Sequence, residues 1–396
     1  MTEFALHMVD ERRALEHLMA LLRIEGLSGQ EGNVAAEVRK RLGRAGCKSS
    51  WIRHDNAHRR IGRGYQVGNL IVRIPGNGVR RREQRRLFSG HMDTVPLCRG
   101  AVPELSGDRI VSKGATALGG DNRTAVAALV TVVESLLRNN LPHPPLTFLF
   151  TVGEEVGLEG SKVVNLKDMG HPAIGFNVDG GHPDFAVIGA IGADRWQAHV
   201  HGRSSHAGVH PEHGISATLI ASRAISAVAE QGFFGQVMIN GQYGTANVGA
   251  FQGGEASNQV TDYVLVTGEC RSHSRSFLRT ITATYRKAFT HAASTVRNNR
   301  GEPGRVEFLA ERDYNAFRMS ARSEPVQRAK DSIEALGGEP KLAIANGGLD
   351  ANYLNSLGVP TVTLGAGQHN PHTIDEYIDI DEYSAGCRLL TLLAAS

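Results

Sequence analysis

The stretch "LTFLFTVGEEVGLEGS", residues 146–161, passes from an unbroken apolar run into two adjacent glutamates, Glu154 and Glu155, set between glycines. A short continuous apolar run reads as a strand buried on both faces, the kind that parallel sheets contain. Neighbouring side chains on a strand point to opposite faces, so a buried strand that closes on a pair of carboxylates raises the question of what the pair serves.

Comparable runs lie on either side. "NLIVRI" (69–74), "RRLFSG" (85–90) and "AIGFNVD" (173–179) read as further strands, and "NRTAVAALVTVVESLLR" (122–138) as a strongly apolar helix. Strands alternating with helices are the pattern of an α/β sheet domain. After "FAVIGA" (185–190) the texture changes. "RWQAHVHG", "TANVGAF" and "DYVLVTGECRS" alternate as half-exposed strands do, with helical segments at 213–230 and 274–297. From about 313 the first texture returns, ending in "PTVTLGAG" and a terminal helix. The expected organisation is an α/β domain of residues 1–192 and 311–396, interrupted by an inserted α+β domain at 193–310.

Length agrees with two domains, since 396 residues at 41% hydrophobic exceed what one core usually organises. A formal charge of +3, from 43 basic and 40 acidic residues, gives no strong field for nucleic acid or membrane. The basic run "RRREQRR" (80–86) has no interleaved aromatic residues and reads as a solvated loop. Cys47, Cys98, Cys270 and Cys387 lack the paired spacing of a zinc ribbon or redox motif, so reduced thiols in a cytoplasm are expected. Charges interrupt "MTEFALHMVDERRALEHLM" before a leader-like core develops, and no stretch approaches the ~20 apolar residues of a membrane span.

The ends of the expected strands carry the chemistry. "FSGHMD" ends in His91 and Asp93, "GGD" gives Asp121 at a helix start, and "TVGEE" gives Glu154 and Glu155. "FNVDGG" gives Asp179, and "GAGQHNPHT" gives His369 and His372. In open α/β sheets the functional crevice lies beyond the carboxyl ends of the strands, where these residues would converge. So many acids in one partly dry cleft repel one another unless divalent cations compensate them. Nitrogen and oxygen donors without thiolate suit zinc, with cobalt or manganese as substitutes. Two ions need about six protein contacts. Two histidines and three carboxylates supply these if one carboxylate bridges, which leaves one glutamate of the pair to take a proton from water. The residues leave open which glutamate does which. Singly, each has a plainer reading: Asp121 as a helix N-cap, Asp179 before two glycines as a turn, and the glutamates as surface charges. Their conjunction favours the metal site.

The motifs "SGHMDTVP", "LGGDNRTAVAAL", "TVGEEVGLEGS", "VDGG", "SSHAGVHPEHGISA", "NVGAFQGGEASNQV", "GGLDANYLNSLGVPTV" and "HTIDEYI" stand in the order seen in cocatalytic zinc peptidases of the aminoacylase and carboxypeptidase type, which the chain resembles over nearly its whole length. Within that superfamily it is most similar to the peptidase T-like branch, the tripeptide aminopeptidases. The resemblance implies a mixed sheet flanked by helices with an inserted lid and dimerisation domain. It also implies two zinc ions: His91, Asp121 and Asp179 on one, Asp121, Glu155 and His372 on the other. Glu154 is then the general base, and Asp93 fixes the His91 ring. His206 stabilises the oxyanion, often from the partner subunit of a homodimer. Arg271 and Asn247 grip a substrate carboxylate or carbonyl. His372 is preferred over His369 because it directly precedes the "T..E" pattern of the family's last ligand. The sequence departs from the family at "NRTA" (122–125), where members often read "DKAG", a change expected to bear on substrate preference alone. The implied substrate is a short peptide. An N-acyl amino acid deacylase or dipeptidase would use the same centre, and the intact base and bridge argue against a non-catalytic peptide-binding protein.

Overall fold

The apolar runs become strands because their branched and aromatic side chains have buried surface to fill on both faces. The computed structural model describes residues 9–62 and 64–396. Residues 1–8, part of the charge-interrupted stretch read above as lacking a leader, lie outside the described residues. The chain divides into a first unit that ends at Ala190 and resumes at Arg318, and a second unit, Ile191–Phe317.

Strands of the first unit are β1 (Ile52–His54), β2 (Leu70–Ile74), β3 (Arg86–His91), β4 (Pro103–Ser106), β5 (Arg109–Ser112), β6 (Leu146–Thr151), β7 (Ile174–Val178) and β8 (Phe185–Ala190). The second unit holds β9 (Gly192–His201), β10 (Gly235–Ile239), β11 (Gln242–Gly253), β12 (Tyr263–Ser272) and β13 (Arg305–Tyr314). After it come β14 (Phe317–Arg318), β15 (Lys341–Ala345), β16 (Thr361–Leu364), β17 (Gln368–His369) and β18 (Tyr377–Asp379).

A nine-stranded sheet has the order β1-β2-β6-β3-β7-β16-β8-β14, with β15 also paired to β8. The run β6-β3-β7-β16 is parallel, while β2 and β8 join it antiparallel on its two sides. This mixed sheet, flanked by helices, is the fold class expected. Phe88 packs against Phe148 and Phe176 on one face, with ring centroids 5.6 and 5.2 Å apart. Ile71, Leu87 and Leu149 fill the other face with Val164, Met169 and Leu354. The helix Gly120–Arg138 is apolar nearly all round, as a buried helix must be, and packs against β3 and the helices Glu11–Leu22 and Ile380–Ala395. Four adjacent parallel strands therefore present their carboxyl ends along one edge.

A second, four-stranded sheet, β17-β18-β5-β4, was not expected from the sequence. Its strands span two to four residues, too few to show a period, and they pair across distant parts of the chain. The basic run 80–86 is an exposed loop over residues 81–84, as read, but not at its end. Arg86 is buried within β3, where it donates to the Leu393 carbonyl at 2.8 Å, and Arg85 donates to the Leu146 carbonyl at 2.5 Å. Among the described residues the four cysteines are buried and free, and no helix is long and apolar enough to cross a membrane.

In the second unit an antiparallel sheet has the order β10-β11-β12-β9-β13. The helices Ala217–Glu230 and Arg275–Thr295 pack on it, capped by Ser216 and Ser274, whose hydroxyls accept from the Leu219 and Phe277 amides. Trp196 centres this core, 4.9 Å from the Tyr285 ring and 5.4 Å from the Phe308 ring. Gly268 is required beside it, since a Cβ there would lie 2.3 Å from the indole.

Candidate metal centre

The ends of β3, β6 and β7 and the start of the helix Gly120–Arg138 each deliver a donor to the parallel edge. His91 is the last residue of β3, and its ring is 2% exposed. Its Nε2 lies 3.1 Å from Asp121 Oδ1 and 3.7 Å from Asp179 Oδ1. Asp179 follows β7 directly, and its amide donates to the Leu364 carbonyl at 3.0 Å, tying it to the end of β16. His372 Nε2 stands 3.4 Å from Asp121 Oδ2 and 2.9 Å from Glu155 Oε2. Ligand atoms of His91, Asp121 and Glu155 all lie within 4.8 Å of one another.

Asp121 faces a different histidine with each carboxylate oxygen. The helix it was read as opening does not use it as a cap. Asp121 and Asn122 have non-helical dihedrals, and Asn122 Oδ1 accepts from the Ala125 amide at 3.2 Å. Asn122 Nδ2 donates to the Val178 carbonyl at 2.8 Å, so this buried residue joins the helix start to the end of β7. At 122 the departure from the family pattern is thus a structural cap, with no exposed surface to offer a substrate. Arg123, 1% exposed, donates to the Met92 and Ile24 carbonyls beneath the centre.

The glutamate pair does not lie on a strand. β6 ends at Thr151, and Gly153 has φ +62°, so Glu154 and Glu155 sit on a turn and escape the alternation of strand faces. A Cβ on Gly153 would lie 2.2 Å from the Tyr65 hydroxyl oxygen. Asp93, fully buried, clamps this turn: its Oδ1 accepts from the Glu154 amide at 3.0 Å and its Oδ2 from the Glu155 amide at 3.2 Å. Asp93 Oδ1 is also 3.4 Å from His91 Nδ1, and the Ser28 hydroxyl donates to Oδ2 at 2.6 Å.

His369 is turned elsewhere, with Nε2 2.7 Å from Glu382 Oε2 and its ring stacked on Tyr377 at 4.8 Å. His372 adopts φ +62°, an uncommon conformation for a residue with a Cβ, and it is the one of the two that reaches Asp121.

Three buried acids escaped the sequence reading. Glu376 accepts from the Leu118, Gly119 and Asp121 amides at 2.7, 2.8 and 2.9 Å and so holds the loop that presents Asp121. Glu31 accepts from the Gly29 and Gly153 amides at 2.8 and 3.0 Å. Asp350 accepts from the Thr151 hydroxyl, and Thr151 is the register partner of His91. The quoted motifs "HTIDEYI" and "GGLDANYLNSLGVPTV" contained Glu376 and Asp350, whereas Glu31 lies in no such run.

Electrostatics marks the cluster as short of positive charge. Burial, with Asp121 adding to it, pushes Asp179 up to about 7. Glu154 is raised well above the ordinary carboxylate range by burial first and by Asp179, Asp350 and Glu155, against the opposing pull of His91. Hydrogen bonding to Asp121 and Glu155 pushes His372 up to about 10. Crowded acids and imidazoles that hold protons in this way are a donor set that divalent cations neutralise, and it contains no thiolate. The residues fit such ions.

Of the second-unit candidates, Arg271 and Asn247 lie on adjacent strands, β12 and β11, and His206 lies on a separate loop. His206 is exposed on a loop, its Nδ1 accepting from the Gly208 amide at 3.1 Å. Arg271 on β12 is held by Glu269, through Nε at 2.9 Å and Nη2 at 3.1 Å. Asn247 on β11 is the register partner of Glu269 and lines a cavity of about 860 Å³ with Trp196, Glu269 and Arg286.

Comparison with known proteins gives a match of residues 87–396 to the family described as Peptidase family M20/M25/M40. The chain is 31% identical over 376 residues, 95% of each chain, to the uncharacterized protein YqjE of Bacillus subtilis (strain 168). It is 26% identical to peptidase T of Vibrio cholerae over 300 residues, 72% of this chain and 67% of that one. Among solved structures, the aminopeptidase PepT from Bacillus cereus ATCC 10987 aligns with a TM-score of 0.83 at 29% identity, covering 98% of this chain and 99% of that one. A tripeptidase from Staphylococcus aureus subsp. aureus Mu50 aligns with a TM-score of 0.86 at 28% identity, covering 98% of both chains.

Proposed function

The chain belongs to Peptidase family M20/M25/M40 and is a peptidase T-like member of it, and on that premise we propose that it is an aminopeptidase of short peptides, tripeptides above all, working with two divalent cations. The observation that carries this reading is the posture of Asp121, with Oδ1 3.1 Å from His91 and Oδ2 3.4 Å from His372, as a carboxylate shared between two ions requires. His91, Asp121 and Asp179 would hold one cation, and Asp121, Glu155 and His372 the other. The donors suit zinc, with cobalt or manganese able to replace it.

Such ions, when bound, supply Lewis acidity to a scissile carbonyl and make a water more acidic. Everything else falls to side chains. Glu154, the carboxylate left uncommitted, takes the proton of the attacking water and hands it to the leaving amine. Asp93 keeps the His91 ring and the Glu154–Glu155 turn in fixed relation through the bonds described above. His206 donates to the oxyanion, and Arg271 and Asn247 hold a substrate carboxylate or carbonyl. For Arg271 that role means exchanging Glu269 for the substrate. The insert acts as lid and dimerisation surface in a cytoplasmic homodimer.

A panel of di-, tri- and tetrapeptides with free and blocked termini, assayed with zinc, cobalt and manganese after chelation, tests the reading. Activity is expected to vanish on chelation, return with each metal, and favour tripeptides with a free amine. Preferential cleavage of N-acyl amino acids or dipeptides would overturn the substrate assignment, and undiminished turnover after complete chelation would overturn the metal assignment.

A further inference from the structure

A second group of metal-ligating side chains lies in the second unit and uses none of the donors already described: His210, Glu212 and His213. Glu212 and His213 stand on a short 3-10 turn, Pro211–His213, that opens on proline, and His210 directly precedes it as the N-cap. Proline fixes φ at the start of the turn. The His210 and His213 rings stack 4.8 Å apart, inclined by 16°. His210 Nδ1 is 3.3 Å and His213 Nε2 3.5 Å from the same atom, Glu212 Oε1. Two ligands about 2.0–2.1 Å from a tetrahedral ion are themselves about 3.3 Å apart. Each nitrogen thus lies near ligand spacing from the carboxylate oxygen, and one donor atom from each residue lies within 4.8 Å of the others.

The backbone beneath them is fixed. The Glu212 carbonyl accepts from the Asn299 amide at 2.9 Å, and the His213 carbonyl from Asn298 Nδ2 at 3.4 Å. The His213 amide donates to the His210 carbonyl at 3.2 Å, closing the turn. The side chains remain open to solvent, at 59%, 49% and 44% exposure for His210, Glu212 and His213. A cation can therefore enter without rearranging the chain, which lowers the ordering cost of binding.

We propose that His210, Glu212 and His213 form an exposed, exchangeable site for a borderline divalent transition metal, zinc above all, with water completing its coordination. Two imidazoles and one carboxylate favour zinc, copper(II) or nickel(II) over magnesium or calcium, which prefer all-oxygen shells.

The test is zinc titration of the full, untagged, chelator-stripped chain by calorimetry, comparing the parent with the His210→Ala/His213→Ala double variant and with Glu212→Gln. The double variant is expected to lose a single zinc equivalent, the weaker-binding one, and Glu212→Gln to weaken it. His199→Ala, which removes another partly exposed histidine, should keep it. Equal stoichiometry in parent and double variant would overturn the site, as would equal loss in His199→Ala. A copper(II) paramagnetic spectrum of the parent should show coupling to two imidazole nitrogens that Glu212→Gln retains and the double variant lacks; an identical spectrum in parent and double variant counts against the site. Each readout is scored as the difference between parent and double variant, to which metal held by the buried acids and their histidines contributes equally.

Discussion

Most polar side chains around Asp121 are buried and converge, with His372 half exposed at their edge, whereas Arg271 and Glu269 are half-buried and pair with each other. In the first unit, His91, Asp93 and Glu154 are nearly inaccessible, and hydrogen bonds among them and to Glu155, Ser28 and Asp121 hold them in place. In the second, Arg271 lies against Glu269, and His206 and Asn247 sit on exposed surface. Groups buried at a cost must be placed by the scaffold, so their arrangement is visible in a single chain. Groups that meet a ligand at a surface need no such placement beforehand.

Three variants would break or sharpen that contrast. The largest effect is expected from Glu154→Gln: turnover falls about 10²–10⁴-fold while zinc content stays near that of the parent. Elemental analysis beside peptide hydrolysis checks it, and loss of metal together with activity would make Glu154 a ligand instead. Next comes His206→Ala, expected to lower kcat about 10²–10³-fold with metal content unchanged, as removal of an oxyanion donor does. Steady-state kinetics reads it, and an unchanged kcat would confine the chemistry to the first unit. The smallest is Asp93→Asn, expected to weaken zinc about 10–100-fold by loosening the His91 ring and the glutamate turn. Competition against a chelator measures it; an unchanged affinity would reduce Asp93 to a purely architectural residue.

Much of the first unit was legible because its signals are local. The runs around Phe88, Phe148 and Phe176 are continuous and apolar, and such runs become strands buried on both faces. The donors stand at their ends, where open α/β sheets place ligands. Other features were not legible. Gly153 looks like any glycine until its positive φ turns both glutamates off the strand. Asp121 reads as a cap until Asn122 takes that role. Glu31 resembles a surface acid, yet it is fully buried against the Gly153 amide. The sheet that holds β17 and β18, on either side of His372, consists of strands too short for periodicity to reveal.

By itself, the sequence determined the inventory: which strands are buried, and that imidazoles and carboxylates without thiolates end them. The chemistry of a side chain and the burial of an apolar run are properties of a few adjacent residues. The residues alone left open which carboxylate is shared; the tertiary structure sets Asp121 between His91 and His372, which lie far apart in the chain. That position follows from the register of parallel strands and from Glu376 reaching back to the Asp121 amide, long-range pairings that no local stretch encodes.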